Sequence, residues 1–214
     1  MFKTKICGAT TPEDALSVAA VGCDALGLNF YEKSKRYISR EVAKSIVKNL
    51  PRTVKRVGVF VNASSSFIRE TAEALQLDFV QLHGDEPPEF LDEISDLKII
   101  RAFRCKDGLE PVRDYLYQCD QPPVAVLVDA YDPNEFGGTG KTLHWPDLAN
   151  AGEFIGDLPL ILAGGLTPTN VGKAIELARP HGVDTASGVE SAPGVKDSEL
   201  SKQFVAAANS AFSA

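Results

Sequence analysis

Apolar residues along this chain fall into two alternating patterns. Short runs dense in Val, Ile, Leu and Phe recur from end to end, at KTKICG, DALGLNF, KRVGVFVN, DFVQLHG, KIIRAFR, PVAVLVDA, PLILAGG and GVDTASG. Their length and β-branched content predict eight strands. Between them lie stretches such as TPEDALSVAAVG, SREVAKSIVKNL, SSFIRETAEAL, PPEFLDEI and PTNVGKAIELA, whose apolar positions repeat at three and four and predict amphipathic helices. Several open on a cap signal: Thr11 ahead of Pro12 and Glu13, Ser39 ahead of Arg40 and Glu41, and Thr167 ahead of Pro168.

Strands alternating with helices, at intervals of roughly 20 to 35 residues, imply right-handed βαβ units and a parallel sheet. Eight such units predict closure into a single-domain (β/α)8 TIM barrel over residues 1–214. Typical barrels of this kind take about 250 residues, so short loops and a shortened helix or two are expected. The competing architecture is an open doubly wound sheet, which carries fewer strands and a switch point.

The apolar fraction of 44% and charged fraction of 24% are those of a globular chain and exclude a disordered one. A net charge of −7, with no basic run beyond KSKR, provides no attraction to phosphate backbones or anionic membranes. Neither nucleic acid nor a membrane is an expected partner. The N-terminus MFKTKICGA lacks the apolar segment of a secretory signal, and a cytosolic protein is expected. Cys7, Cys23, Cys105 and Cys119 form no CxxC pair and are expected to stay thiols, and His83, His144 and His181 have no paired-ligand spacing, so no metal is expected.

In a parallel barrel the C-terminal strand ends form one rim, which carries the chemistry. Here those ends deliver Cys7, Asn29, Asn62, His83, Arg101, Asp129, Gly164 with Gly165, and Ser187 with Gly188. AGGLTPTN runs from a strand into a helix N-terminus, where a Gly pair lets backbone N–H groups approach an anion. ASGVESAPG repeats the arrangement one strand later, and turns after the seventh and eighth strands are the common phosphate site of this fold. Ordinary turn glycines are the competing reading. The GGTGKT stretch of Gly137–Thr142 fails as a P-loop, because Glu135 stands where the pattern needs Gly. With the rest of the irregular segment Tyr131–Trp145, it reads as a mobile active-site loop.

Cys7 ends the first strand and Asp129 the sixth, so their side chains converge across a barrel mouth as candidates for proton transfer. Each has a plain structural alternative: an inert core thiol for Cys7, a cap or loop-stabilising carboxylate for Asp129. A thiol is a poor base unless electropositive neighbours lower its pKa from about 8.5. Arg36, in EKSKRYI, is either a solvated charge or a bidentate clamp for a planar carboxylate. His83 either binds ligand or hydrogen-bonds the rim.

Together these residues resemble the phosphoribosylanthranilate isomerase family of tryptophan biosynthesis. KICGAT is similar to that family's opening signature, and FYEKSKRYI, VGVFVN, VQLHGDE, LVDAY, GGTGKTLHW, LILAGGLTPTNV and VDTASGVESAPGVKD match its later motifs in order, over nearly the whole chain. The resemblance implies an Amadori rearrangement of N-(5-phosphoribosyl)anthranilate to 1-(2-carboxyphenylamino)-1-deoxyribulose 5-phosphate, without a cofactor. It makes Asp129 the general acid, Cys7 the general base and Arg36 the partner of the anthranilate carboxylate. Gly164, Gly165, Ser187 and Gly188 then form the phosphate turns, and His83 joins the substrate contacts. A small phosphoribosyl substrate is the expected partner, and the chain a monomer or homodimer. Ala130 stands where the family often has Thr, and Leu143-His144 where it usually has Phe-Asp.

Two other readings compete. A different phosphoribosyl-ligand barrel enzyme would need a second aspartate in place of Cys7, or Lys and Glu residues that have no clear position here. A non-catalytic phosphometabolite sensor would keep the glycine turns but has no need for both Cys7 and Asp129.

Overall fold

The structure, a computed structural model, describes residues 1–105, 108–130 and 145–214. Eight parallel strands close into a barrel in chain order. They are β1 (Thr4–Cys7), β2 (Ala25–Asn29), β3 (Lys55–Phe60), β4 (Phe79–Leu82), β5 (Ile99–Cys105), β6 (Ala125–Ala130), β7 (Leu160–Leu162) and β8 (Gly182–Thr185). β8 returns to pair with β1, setting Lys5 opposite Asp184. The predicted closed barrel is therefore the observed one, and the open sheet is excluded.

Around it run α1 (Pro12–Ala20), α2 (Arg40–Asn49), α3 (Ser65–Leu75), α4 (Glu110–Leu116), α5 (Gly152–Ile155), α6 (Val171–Ala178) and α7 (Ser198–Phe212). Thr11 and Ser39 cap α1 and α2 as expected, accepting from the N–H groups of Asp14 and Val42. Two expectations are corrected. Pro88–Ile94 winds as a 3-10 helix, and its buried Leu91 and Ile94, three residues apart, suit that tighter period. Thr167 does not cap a helix: α6 begins at Val171, because the Asn170 side chain accepts from Thr167 N–H and donates to the Gly165 carbonyl, closing a turn first.

After β8 the chain makes a 3-10 turn at Ser187–Val189 and a small hairpin, β9 (Glu190–Ala192) and β10 (Val195–Lys196), that the apolar pattern does not signal. None of the described helices is long and apolar enough to cross a membrane.

Strand alternation divides the core in two. Residues such as Ile6, Leu28, Leu82 and Val128 face the helices. Inside the barrel, Phe2, Val57, Ile100, Leu127 and Ile161 form a dry floor, with Phe79 edge-on to Phe2 at 6.0 Å. Above that floor the inward positions become polar, and the cavity opens there.

Candidate active site

Lys5 and Cys7 share the inward parity of β1, while Ile6 between them packs outward. Cys7 pairs with Gly27 across to β2, and a Cβ on Gly27 would lie 2.5 Å from the Cys7 Sγ, so the glycine makes the space the thiol occupies. Gly8 has φ +84°, and a Cβ there would come within 2.4 Å of Arg36 Cδ. The room beside Cys7 is thus filled by the stem of Arg36.

Burial pushes the Cys7 thiol up, and the neighbouring Asp184 carboxylate adds to the rise; the Lys5, Lys196 and Arg36 cations pull the other way without overcoming it. Burial alone would discharge Lys5, but its 2.7 Å bridge to Asp184 holds the ammonium above its usual range. Burial accordingly favours the thiol form of Cys7. Its alkylation by iodoacetamide, followed on the Cys7 peptide by mass spectrometry, should accelerate about tenfold per pH unit between about pH 7 and 9. A rate independent of pH over that range would mean a preformed thiolate. Cys23 and Cys105, both raised to about 12 by burial, serve as slow internal references.

The loop after β2 is built to present Arg36. The Asn29 side chain accepts from Tyr31 N–H and donates to Ser34 Oγ, which accepts in turn from Arg36 N–H. The guanidinium forks onto Glu190, Nε to Oε1 at 2.7 Å and Nη2 to Oε2 at 2.8 Å. Lys196, from β10, donates to the same Glu190 Oε1 at 2.7 Å. Burial works to raise the Glu190 carboxyl, and the hydrogen bonds and charges of Arg36 and Lys196 outweigh it, holding it below the usual range. Two cations around one carboxylate leave the corner with one net positive charge, which suits an incoming anion.

Opposite Cys7, Asp129 is the penultimate residue of β6 and is 4% exposed. Its Oδ2 stands 3.4 Å from His83 Nε2, and His83 Nδ1 stands 3.1 Å from Gln81 Nε2. Gly164 and Gly165 both adopt left-handed φ, +90° and +65°, a conformation costly for residues with a Cβ. At Gly188 a Cβ would lie 1.9 Å from the Leu166 carbonyl oxygen, so this glycine lets the two glycine turns pack backbone to backbone. Thr185 Oγ1 donates to that same carbonyl at 2.7 Å.

One cavity of about 650 Å3 of empty space, open to solvent, brings these parts together: Cys7, Arg36, His83, Asp129, Gly164, Gly165 and Ser187 all line it. Asn29 lines it as well. Three rim candidates are not among its lining residues: Gly188, which packs against the Leu166 carbonyl behind Ser187, and two side chains that lie elsewhere. Arg101 points away from the barrel axis and donates to the carbonyls of Leu82, Gly84, Glu86 and Ala102, fixing the loop after β4. Asn62 accepts from Asp85 N–H and ties that loop to β3. Residues 131–144 of the segment expected to be a mobile loop, with the GGTGKT stretch and Leu143-His144, lie outside the described residues, and its last residue, Trp145, opens a 3-10 turn over Trp145–Leu148.

The sequence reading passed over Lys5, Gln81, Asp184, Glu190 and Lys196. For three of these a signal existed: a Lys, a Gln and an Asp at inward parity within apolar strands, two residues from Cys7 and His83 or on the neighbouring strand.

The family model for N-(5'phosphoribosyl)anthranilate (PRA) isomerase matches residues 4–207. A relative from Geobacter sulfurreducens, N-(5'-phosphoribosyl)anthranilate isomerase, is 47% identical over 207 residues, covering 96% of this chain and 97% of its own. Phosphoribosyl anthranilate isomerase from Thermotoga maritima superposes with a TM-score of 0.87 at 41% identity, over 98% of this chain and 100% of that one. A further solved isomerase, in complex with reduced 1-(o-carboxyphenylamino)-1-deoxyribulose 5-phosphate, gives a TM-score of 0.83 at 38% identity, over 98% and 100% of the two chains. With a matching model, close relatives and the same barrel, the chain belongs to the phosphoribosylanthranilate isomerase family.

Proposed function

We propose that Asp129 is the general acid and Cys7 the general base of an Amadori rearrangement carried out in this cavity. The activity is that of the family: isomerisation of N-(5'-phosphoribosyl)anthranilate, a step of tryptophan biosynthesis. The observation that carries the assignment of roles is that a thiol and a carboxylic acid from opposite strands face one cavity bordered by two glycine turns and an arginine.

In this reading Asp129 gives its proton to the ribose ring oxygen. The C1–O bond breaks and the anilinic nitrogen lone pair forms C1=N⁺. The iminium withdraws electrons from C2, and the Cys7 thiolate removes the C2 proton, its electron pair forming C1=C2 and neutralising the nitrogen. The enolamine then tautomerises to the aminoketone. The acid form of Asp129 with a thiolate holds the same number of protons as a carboxylate with a thiol. Thus the proton lost by Cys7 is the one Asp129 needs, and the cationic iminium favours the thiolate while it exists.

The phosphate is held by backbone N–H groups around Gly164, Gly165, Ser187 and Gly188, and the anthranilate carboxylate by Arg36 at the positive corner. Anchoring both ends sets C1 and C2 between Cys7 and Asp129. His83 adds a substrate-side contact. The acidic surface charge and the four free thiols support a cytosolic enzyme, monomeric or homodimeric, acting on this small ligand.

Mixing the protein with phosphoribosylanthranilate and following anthranilate fluorescence tests the activity: decay faster than in buffer is expected, and an unchanged rate would overturn it. In the same assay Arg36→Met should raise KM about tenfold or more while kcat stays within about threefold, the signature of lost uniform binding. Unaltered KM and kcat/KM would remove Arg36 from the site.

A further inference from the structure

His83 stands between two partners on opposite sides of its ring. Nδ1 is 3.1 Å from the amide nitrogen of Gln81, and Nε2 is 3.4 Å from Asp129 Oδ2. An amide nitrogen donates and does not accept, so Nδ1 facing it is the acceptor. A neutral imidazole with a bare Nδ1 carries its proton on Nε2, the nitrogen that faces the carboxyl oxygen. Turning the Gln81 amide over would place its oxygen against Nδ1 and demand the proton there. Beside the carboxylate form of Asp129 the Nε2 lone pair would then meet a bare oxygen, a repulsive pairing. With that form, the three choices are mutually consistent in only one arrangement of a neutral ring.

Burial makes this arrangement matter. Gln81 is 1% exposed, His83 8% and Asp129 4%, so water is a poor substitute for a missing partner. Gln81 is also held by its strand, paired to Val59 on one side and Ile100 on the other, with its side chain at the same inward parity as His83.

We propose that Gln81 is a positioning residue that holds His83 as the Nε2–H tautomer, so that the imidazole presents a fixed donor to Asp129 Oδ2. The proposal rests on the reading of Asp129 as general acid and adds where that acid keeps its proton. With Nε2–H facing Oδ2 at 3.4 Å, the proton given to the ring oxygen resides on Oδ1. His83 itself neither takes nor supplies a proton during the reaction. In the reverse tautomer a bare Nε2 would draw the Asp129 proton toward itself and away from the substrate.

The test is a nuclear magnetic resonance spectrum of the full chain carrying isotope-labelled histidine ring nitrogens, recorded above the titration range of imidazole, with the His83 signals assigned by their loss in His83→Asn. A protonated Nε2 and a bare Nδ1 are expected. A proton on Nδ1, or on both nitrogens, overturns the proposal, and this result needs no variant of Gln81 to fold. Gln81→Met keeps the length and removes the donor; His83 should then show both tautomers, with kcat down about tenfold and KM within about twofold. Gln81→Glu, whose carboxylate demands a proton on Nδ1, should shift the tautomer fully and lower kcat further. A Gln81→Met enzyme with the wild-type tautomer and turnover would refute the positioning role. Normal turnover of Asp129→Asn alongside the expected spectrum would instead sink the acid reading, and with it the location of the proton.

Discussion

Asp129→Asn is expected to lower kcat by at least about 100-fold, the usual scale for a general acid, while leaving KM within about threefold. The amide keeps the shape of the carboxyl and can still turn an oxygen toward His83, so the cavity wall stays intact. It has no proton to give to the ring oxygen. Because the proposed carboxylate and phosphate contacts lie at Arg36 and the glycine turns, binding should survive. The counterpart at Cys7 separates volume from chemistry: Cys7→Ser nearly preserves the packing over Gly27, yet a hydroxyl is a far weaker base precursor than a thiol. It should therefore be about as inactive as Cys7→Ala, again by 100-fold or more at about the same KM. Turnover of either Asp129→Asn or Cys7→Ser within about tenfold of wild type would return that residue to a structural role.

Lys5→Met is the substitution expected to cost most in stability. Lys5 is wholly buried and its anion partner, Asp184, has a side chain 9% exposed, so the variant strands a carboxylate in the barrel. Removing one partner of a buried pair costs about 3–5 kcal/mol. For a chain of this size that lowers Tm by about 6 to 20 °C. The pH dependence has a definite sign. Burial already raises the Asp184 pKa and Lys5 opposes that rise, so losing Lys5 raises it further. A folded-state pKa above the unfolded one means that the native protein binds the extra proton, and stability falls as pH rises through that window. The variant should therefore recover part of its deficit as pH drops from neutrality toward the acid side. Lys5→Met/Asp184→Asn, which removes the stranded charge, should recover it at neutral pH. A deficit in thermal unfolding that is identical across pH, and is not relieved in the double variant, would show that the ion pair is not its origin.

The ion pair also bears on the chemistry. Lys5 and Cys7 stand on one face of β1, and the ammonium is one of three cations opposing the burial that keeps the thiol protonated. A stronger pull would give a resting thiolate with a weaker affinity for protons. The balance instead keeps the proton on Cys7 until it is passed to Asp129, so the thiolate exists only for the steps that use it.

How much of this was legible beforehand differs from residue to residue. The eight apolar runs mark the strands because a strand buried on both faces has to be apolar almost throughout. Thr11 and Ser39 announce their helices because an N-cap is a local interaction, spanning three residues of chain. Thr167 misleads for the same reason inverted: a side chain three residues on, Asn170, captures the turn, and no propensity records that competition. Arg101 misleads through parity, since a one-residue shift along β5 moves a side chain from the cavity to the helix-facing side.

Cys7, Asp129, Arg36 and the two glycine turns were readable because strand ends in a parallel barrel share one rim, so linear position already implies a meeting place. The sequence by itself determined the barrel, the family and, through Cys7, Arg36, His83 and Asp129, part of what borders the cavity. It did not determine who partners whom. That Arg36 forks onto Glu190, 154 residues away, and that Lys5 bridges to Asp184, 179 residues away, are properties of closure. Only when β8 meets β1 do those distances become hydrogen bonds, and the charge state of a buried group is set by such neighbours rather than by its place in the chain.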